Sequence, residues 1–489
     1  MSPYLVITIL VLYFVALLLI SYFTSKNATT DTFFTANRQS PWYLVAFGMI
    51  GSSLSGITFI SVPGNVGKVG FSYFQMVLGY IIGYTVIITI LMPLYYRLNL
   101  ISIYTYLEQR FNKWSYKTGS FFFLLSRTLG SSLRLFLSAT VLQLFLFDAW
   151  NVPFYFTVAV TILLIWVYTF KGGIKTIVWT DAFQTIFLVS AVAISVVLLS
   201  QKLNLSFFEL ITKVSQSEYS HTFFFDDVNS TLFFPKQFLA GMFIAIAMTG
   251  LDQDLMQKNL TCKNLHEAQK NMFWLTISIS IVIFLFLTLG ALLYLYCDIK
   301  GITIPASSDE LYPSLALTEL GLFVSVLFLL GITASSYASA DSALASLTTS
   351  FCIDFLDFKN KPEQLKKKQK NIVHFCFSII FFIVILITKE TNEKSLIDTV
   401  FVVAGYTYGP LVGLFSFGLF TKLQVRDRLV PIICVISPII SFFISINSES
   451  WFSGFKIGSE VLILNAILTY CGLWLISTKE NSITKSALY

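Results

Sequence analysis

Ser335, Ser339 and Ser342 recur at spacings of four and three, so on a helix they share one face, with Asp341 close beside it. Three hydroxyls and a carboxylate are hard oxygen ligands, the donor set for a small hard cation that must shed its water. Serine also lets membrane helices approach closely. Such packing does not need a carboxylate, and Asp341 turns the reading toward cation binding. Asp181, in Val178-Trp179-Thr180-Asp181, is expected at a similar depth. Two such carboxylates repel unless a cation, a proton or an arginine separates them. The plainer alternative for Asp181 is an interaction with the start of its own helix.

Arg127 and Arg134 are seven residues apart on one helix face, with Gly130, Ser131 and Ser132 between them. A buried guanidinium offers a planar fork to a carboxylate, whether of a solute or of an intramembrane aspartate. Arg134 is the favoured solute contact, and internal pairing stays open for both arginines. Thr249 and Asp252 are expected to line the pathway, with Asp254 at its inner mouth. An ionisable group at a bilayer centre costs roughly 3 kcal/mol or more, so each of these arginines and aspartates requires a partner or a function.

The elements that position these residues are membrane helices. The chain has 489 residues, 56% hydrophobic and 12% charged, which excludes an ordinary soluble domain. Apolar runs of spanning length occur at about 3–23, 42–62, 72–95, 118–147, 152–170, 174–200, 236–257, 271–296, 319–350, 371–388, 398–421, 429–446 and 459–477, thirteen in all. The first is too long for a signal-peptide core and has no small-residue cleavage site after it. Two runs are interrupted by small and polar residues, one at Gly51-Ser52-Ser53-Leu54-Ser55-Gly56 and the other at Met248-Thr249-Gly250-Leu251-Asp252-Gln253-Asp254. A spanning helix breaks only where the freed backbone groups face protein, water or a ligand. Matching breaks in two halves of a chain point to the binding site of a secondary transporter.

The formal charge of +6 is distributed as topology, not as a nucleic-acid surface. With the N-terminus outside, Arg97, Arg110, Lys113 and Lys117 fall in one cytoplasmic loop, and Lys359, Lys361, Lys366, Lys367, Lys368 and Lys370 in another. Lys258, Lys263, Lys270, Lys422, Arg426 and Arg428 fall on the same side, while external loops keep scattered lysines such as Lys202 and Lys394. The lysine run reads as a topology anchor more readily than as a lipid-headgroup patch. Six scattered cysteines without a CxxC pair and three isolated histidines support neither a transition-metal site nor a disulfide framework.

The expected fold is an all-α polytopic membrane protein of about thirteen transmembrane helices in one transporter domain, 1–489. Residues 1–41 form an extra helix and loop, 42–200 a first repeat of five spans, and 236–421 a second. Residues 422–489 add two helices and a tail. An odd number of spans per half inverts the second repeat, so the two breaks meet near the midplane from opposite directions. The 201–235 stretch is expected as an external loop.

Asp31-Thr32-Phe33-Phe34 before Pro41-Trp42, Gly51 to Thr58, Gly172-Gly173 through Asp181 to Gln184, Glu267-Ala268-Gln269-Lys270, and Ser342 to Asp354 together resemble the sodium/solute symporter family of sugar, proline, sialic acid, iodide and monocarboxylate carriers. The resemblance implies the leucine-transporter-like inverted repeat and a sodium site at Gly51, Leu54, Ser335, Ala338 and Ser339. The first three would contribute backbone carbonyls. Ala338 stands where relatives commonly have a second hydroxyl, for which Ser335 or Ser336 would compensate. A second sodium site, described in the sialic acid branch, maps to Asp181, Asp341 and Ser342, with an aspartate in place of a hydroxyl. Substrate contacts carried over from that branch fall on Ser53, Ser55, Thr58, Gln75 and Arg134.

The leading expectation is a sodium-coupled symporter importing a small polar organic solute, anionic where Arg134 meets a carboxylate, by alternating access across a plasma membrane, as in a bacterial inner membrane. Sodium is its coupling ion, and no organic cofactor is expected. Its partners are the solute and the lipid bilayer, without nucleic acid. Proton coupling on the same fold is the nearest rival, because intramembrane carboxylates also serve proton relays. A transporter-like sensor would need a signalling domain, and the chain ends soon after Leu475. A membrane enzyme lacks a nucleophile and base pair, metal spacing or a phosphate loop. Asymmetric breaks within one chain disfavour a channel.

Overall fold

The computed structural model describes residues 3–26, 28–358, 361–391 and 396–478, and these are almost entirely helical. The topology expectations for Lys359 and Lys394 lie outside the described residues. Apolar composition over long windows makes the helices, and polar or helix-breaking residues bound them. The main helices are α1 (Pro3–Thr24), α2 (Trp42–Ser53), α3 (Gly56–Val69), α4 (Tyr73–Val86), α5 (Lys113–Leu142), α6 (Phe154–Thr169) and α7 (Ile174–Lys202). They continue as α8 (Phe234–Ala245), α9 (Gln253–Asn259), α10 (Leu265–Lys300), α11 (Leu322–Ser350), α12 (Glu363–Thr391), α13 (Leu396–Phe420), α14 (Val430–Ile446) and α15 (Val461–Leu475). A short antiparallel pairing of Gln424–Val425 with Ser477–Thr478 joins the segments flanking the last two helices.

Among the described residues, eight helices are long and apolar enough to cross a membrane, and two bent pairs bring the number to ten. The chain is therefore a polytopic all-helical membrane protein. Helices α6 and α15 are apolar but shorter. Helix α5 is long, but its apolar character is diluted by Lys113, Lys117, Arg127 and Arg134.

Both expected breaks are present. Helices α2 and α3 meet at 60°, and the Phe234–Gly250 helix meets α9 at 68°. At the first, Leu54 leaves helical geometry and extended Ser55 starts α3. At the second, a π turn over Ile246–Gly250 runs into Leu251, and the Asp252 carboxylate caps α9 by accepting from the Asp254 amide at 2.8 Å.

Two expectations changed on folding. The lysines at 366, 367, 368 and 370 are not in a loop, because α12 begins at Glu363 directly after Pro362. Lysine is a good helix former, and hydropathy registers only the apolar part of such a helix. Arg110, expected as a loop cation, is buried and donates to the carbonyls of Gly418, Thr421 and Leu423 at 3.1, 2.8 and 2.9 Å. It holds the C-terminal end of α13, where a cation complements the helix dipole. The 201–235 stretch contains a short helix, Phe207–Ser215, started by a reciprocal Ser206 and Glu209 cap.

Close crossings rest on small residues, as expected where apolar burial alone gives lipid-facing helices no preference. Helices α4 and α8 are in backbone contact: a Cβ at Gly241 would overlap the Met76 carbonyl, and one at Gly79 the Phe238 carbonyl. Helix α7 packs on α2 and α11, which brings Asp181 beside the first break. A Cβ on Gly48 would stand 3.0 Å from the Asp181 Cβ.

Candidate functional site

The two breaks meet. Ser52, Ser53, Leu54, Ser55 and Thr58 from the first, with Met248 and Thr249 from the second, line a cavity of ≈ 90 Å³. Tyr73, Tyr80 and Tyr84 from α4 and both Arg127 and Arg134 from α5 line its other walls. A larger vestibule of ≈ 490 Å³ lies toward the 201–235 stretch, bounded by residues including Asn65, Thr231 and Gln237. Tyr73 and Phe401 line both spaces, their rings 6.5 Å apart between centroids. The Tyr73 hydroxyl also stands 3.2 Å from that of Tyr80.

Backbone freed at the second break is satisfied by protein. Tyr95 donates to the Gly250 carbonyl and Tyr104 to that of Leu251, each at 2.9 Å. The Gln253 side chain spans the Ile101 carbonyl at 2.7 Å and the Ile103 amide at 2.9 Å. Such bonds answer the cost of bare backbone inside a bilayer.

The two arginines have different surroundings. Arg127 is ion-paired with Asp254 and lies 3.7 Å from Asp252, whose carboxylate also accepts from the Tyr408 hydroxyl. Asp252 and Asp254 thus answer Arg127, and Asp252, expected as a solute contact, is engaged inside the bundle. Arg134 is buried on the cavity wall, and its Nε has no hydrogen-bond partner. Ser53 Oγ is likewise unpartnered. Gln75, also expected to touch solute, instead fastens the loop after α7, donating to the Leu232 carbonyl at 3.0 Å and accepting from the Phe224 amide at 3.2 Å.

The first break packs against the serine-rich part of α11. A Cβ at Gly56 would overlap Ser336 Oγ, and one at Gly51 would press on Thr185 Oγ1, to which the Gly51 amide donates at 3.1 Å. Ser335 and Ser339 donate back along their own helix to the carbonyls of Ile332 and Ser336 at 3.3 and 3.2 Å. A hydroxyl used in this way keeps its oxygen lone pairs available. Ser336 Oγ is buried without a partner, whereas Ala338 contributes no side-chain oxygen. This donor set, with Leu54 at the turn, fits a small hard cation.

At the other expected cation set, the structure holds an ammonium. Lys258 Nζ lies 2.6 Å from Asp181 Oδ2, with both side chains about 1% exposed. Asp341 accepts from Tyr168 at 2.8 Å, and Ser342 Oγ donates to the Ala338 carbonyl at 2.9 Å and approaches Asp254 Oδ2 at 3.2 Å. The sequence reading groups Lys258 with loop cations of the cytoplasmic side, whereas its side chain is buried in the bundle. A signal is present in the sequence: Lys258 lies four residues after Asp254, beyond Leu255, Met256 and Gln257, in a chain where Asp181 needs a cationic partner.

Asp354 was not singled out as a site. It accepts from Tyr116 and Ser120 at 2.8 Å and Ser350 at 2.5 Å, tying the end of α11 to the start of α5. Its donors come mainly from a distant helix, which spacing along the chain does not reveal. The cavity tyrosines of α4 were hidden for the same reason.

The model of the sodium:solute symporter family matches residues 33–426. The sodium/sialic acid symporter NanT of Aliivibrio fischeri is 23% identical over 463 residues, covering 92% of this chain and 89% of the relative. The sodium/sialic acid symporter SiaT of Proteus mirabilis is 24% identical, with 94% and 93% covered. Mouse sodium-coupled monocarboxylate transporter 2 is 26% identical, with 86% and 68% covered. Among solved structures, a substrate-bound, outward-open Na+-coupled sialic acid symporter superposes with a TM-score of 0.83 at 19% identity, covering 97% of this chain and 99% of that one. The inward-facing conformation of Mhp1 gives 0.50 at 15% identity, with 91% of each chain covered.

Proposed function

The chain belongs to the sodium:solute symporter family, and from that membership we propose that it carries a small organic anion inward with sodium by alternating access. It is a membrane transporter and not an enzyme, with sodium as its coupling ion. Arg134 is the structural observation that carries the anionic reading. Both arginines stand on the wall of the cavity between the breaks, each with an unpartnered Nε, but Arg127 is ion-paired with Asp252 and Asp254, whereas among the described residues no ion pair is formed by Arg134. A charge-assisted bond from Arg134 to a carboxylate exceeds a neutral hydrogen bond in strength. Ser53, Ser55, Thr58 and Thr249 line the same space and would orient hydroxyl or amide groups of the solute. Relatives that carry sialic acid or monocarboxylates support the same charge class.

Sodium would sit where the first break meets α11, among the carbonyls of Gly51, Leu54 and Ser335 and the hydroxyl of Ser339, beside Ala338. Ser336 would make up for the missing hydroxyl at Ala338. Sodium there would favour an outward-facing state, in which the Tyr73 and Phe401 pair separates vestibule from cavity. Rocking of one bundle against the other would then open the side held by Tyr95, Tyr104 and Gln253. The arrangement uses thirteen crossings, two inverted repeats of five spans over 42–200 and 236–421, an external N-terminus and a cytoplasmic C-terminus. The membrane would be a plasma membrane, such as the bacterial inner membrane. Loop cations support that orientation.

Competition by a carboxylic acid and its amide, measured in wild type and Arg134→Ala, tests the solute class. The acid competes far better in wild type, and Arg134→Ala removes that advantage. Equal competition in wild type would instead favour a neutral polyol or a zwitterion.

A further inference from the structure

Asp181 and Asp341 are buried in one neighbourhood, and Asp341 lies within electrostatic reach of both Asp181 and Lys258. Two carboxylates this deep require a counter-cation. The protein supplies one of its own: Lys258 reaches from α9, the half-helix after the second break, and places Nζ 2.6 Å from Asp181 Oδ2. Lysine is a compact point charge with three donors, the side chain that most nearly imitates a bound monovalent cation. Ser342 directs its hydroxyl hydrogen to the Ala338 carbonyl or the Asp254 carboxylate and does not face this pair alone. Tyr168 holds Asp341 Oδ2 at 2.8 Å.

A second sodium at Asp181, Asp341 and Ser342 would have to use the buried Oδ1 atoms of the two aspartates, which have no hydrogen-bond partner. It would share the Asp181 carboxylate with an ammonium already in hydrogen-bond contact, and two like charges would then occupy one small buried space. We propose that Lys258 is a tethered cation: its ammonium takes the seat at Asp181 that a second sodium would otherwise fill, so the transporter binds one sodium per cycle at the first break and α11. This inference rests on the sodium-symport reading, which sets what the seat would hold.

Equilibrium binding of radioactive sodium to the purified full-length protein, against a choline background, tests it without knowledge of the solute. Wild type binds one sodium per chain. Lys258→Gln uncovers Asp181 and binds two. The combined Asp181→Asn and Lys258→Gln variant, a neutral pair still able to hydrogen bond, returns to one. Two sodium ions in wild type, with one lost in Asp181→Asn, would overturn the proposal even if Lys258→Gln does not fold. A folded Lys258→Gln that still binds one sodium would also overturn it. Absence of sodium binding in wild type would instead remove the symport reading itself.

Discussion

Arg127 and Asp254 form an ion pair sealed inside the helix bundle, joining α5 to the half-helix that follows the second break. Asp252, two residues earlier, turns its carboxylate toward the same guanidinium and toward Tyr408. This arrangement divides the two arginines of α5, which line the same cavity from one helix face, into an ion-paired member and one without an ion pair among the described residues.

Arg127→Ala leaves both aspartates without their cation. Removing one partner of a buried pair costs about 3–5 kcal/mol, so the variant should melt at a markedly lower temperature in detergent. Arg127→Met combined with Asp254→Asn should recover part of that loss. A melting temperature equal to wild type for Arg127→Ala would show that the pair does not support the bundle.

The oxygen cage at the first break predicts a graded sodium requirement. Ser339→Ala should raise the sodium concentration for half-maximal binding by about tenfold, equivalent to 1.4 kcal/mol, with expression retained. Ser336→Ala should do the same more weakly, since its unpartnered oxygen faces Gly56. Unchanged sodium affinity in both would remove the α11 hydroxyls from the cage.

Tyr73 and Phe401 stand between vestibule and cavity, which predicts an access effect. With Cys376 and Cys471 replaced, a cysteine introduced by Ser53→Cys should react faster with a membrane-impermeant thiol reagent when Phe401→Ala is added. An unchanged rate would mean that the pair does not limit entry from the vestibule.

The membrane class and both helix breaks were legible because hydropathy and small polar interruptions are local signals. Asp181 and Asp341 were recognisable as buried charges for the same reason. Their partners were not, since Lys258 and Tyr168 approach from other helices, and an amphipathic lysine near a span end reads as topology. Gln75 matched a family position, yet its two ends bind the loop at Phe224 and Leu232, a long-range contact that no spacing encodes. Arg110 lies between spans as expected, but its burial was not legible, because an exposed loop cation and a cation buried on helix carbonyls look alike in sequence. Helix α12 began earlier than its apolar window because lysine favours helix while lowering hydropathy.

Uptake into proteoliposomes under an inward sodium gradient, using a panel of labelled carboxylates with their neutral amides, is the most direct measurement. The account predicts that at least one carboxylate accumulates above equilibrium only when sodium is outside, that choline substitution at constant pH abolishes accumulation, and that its amide is not accumulated. Undiminished accumulation on a proton gradient without sodium, or equal accumulation of acid and amide, would contradict it.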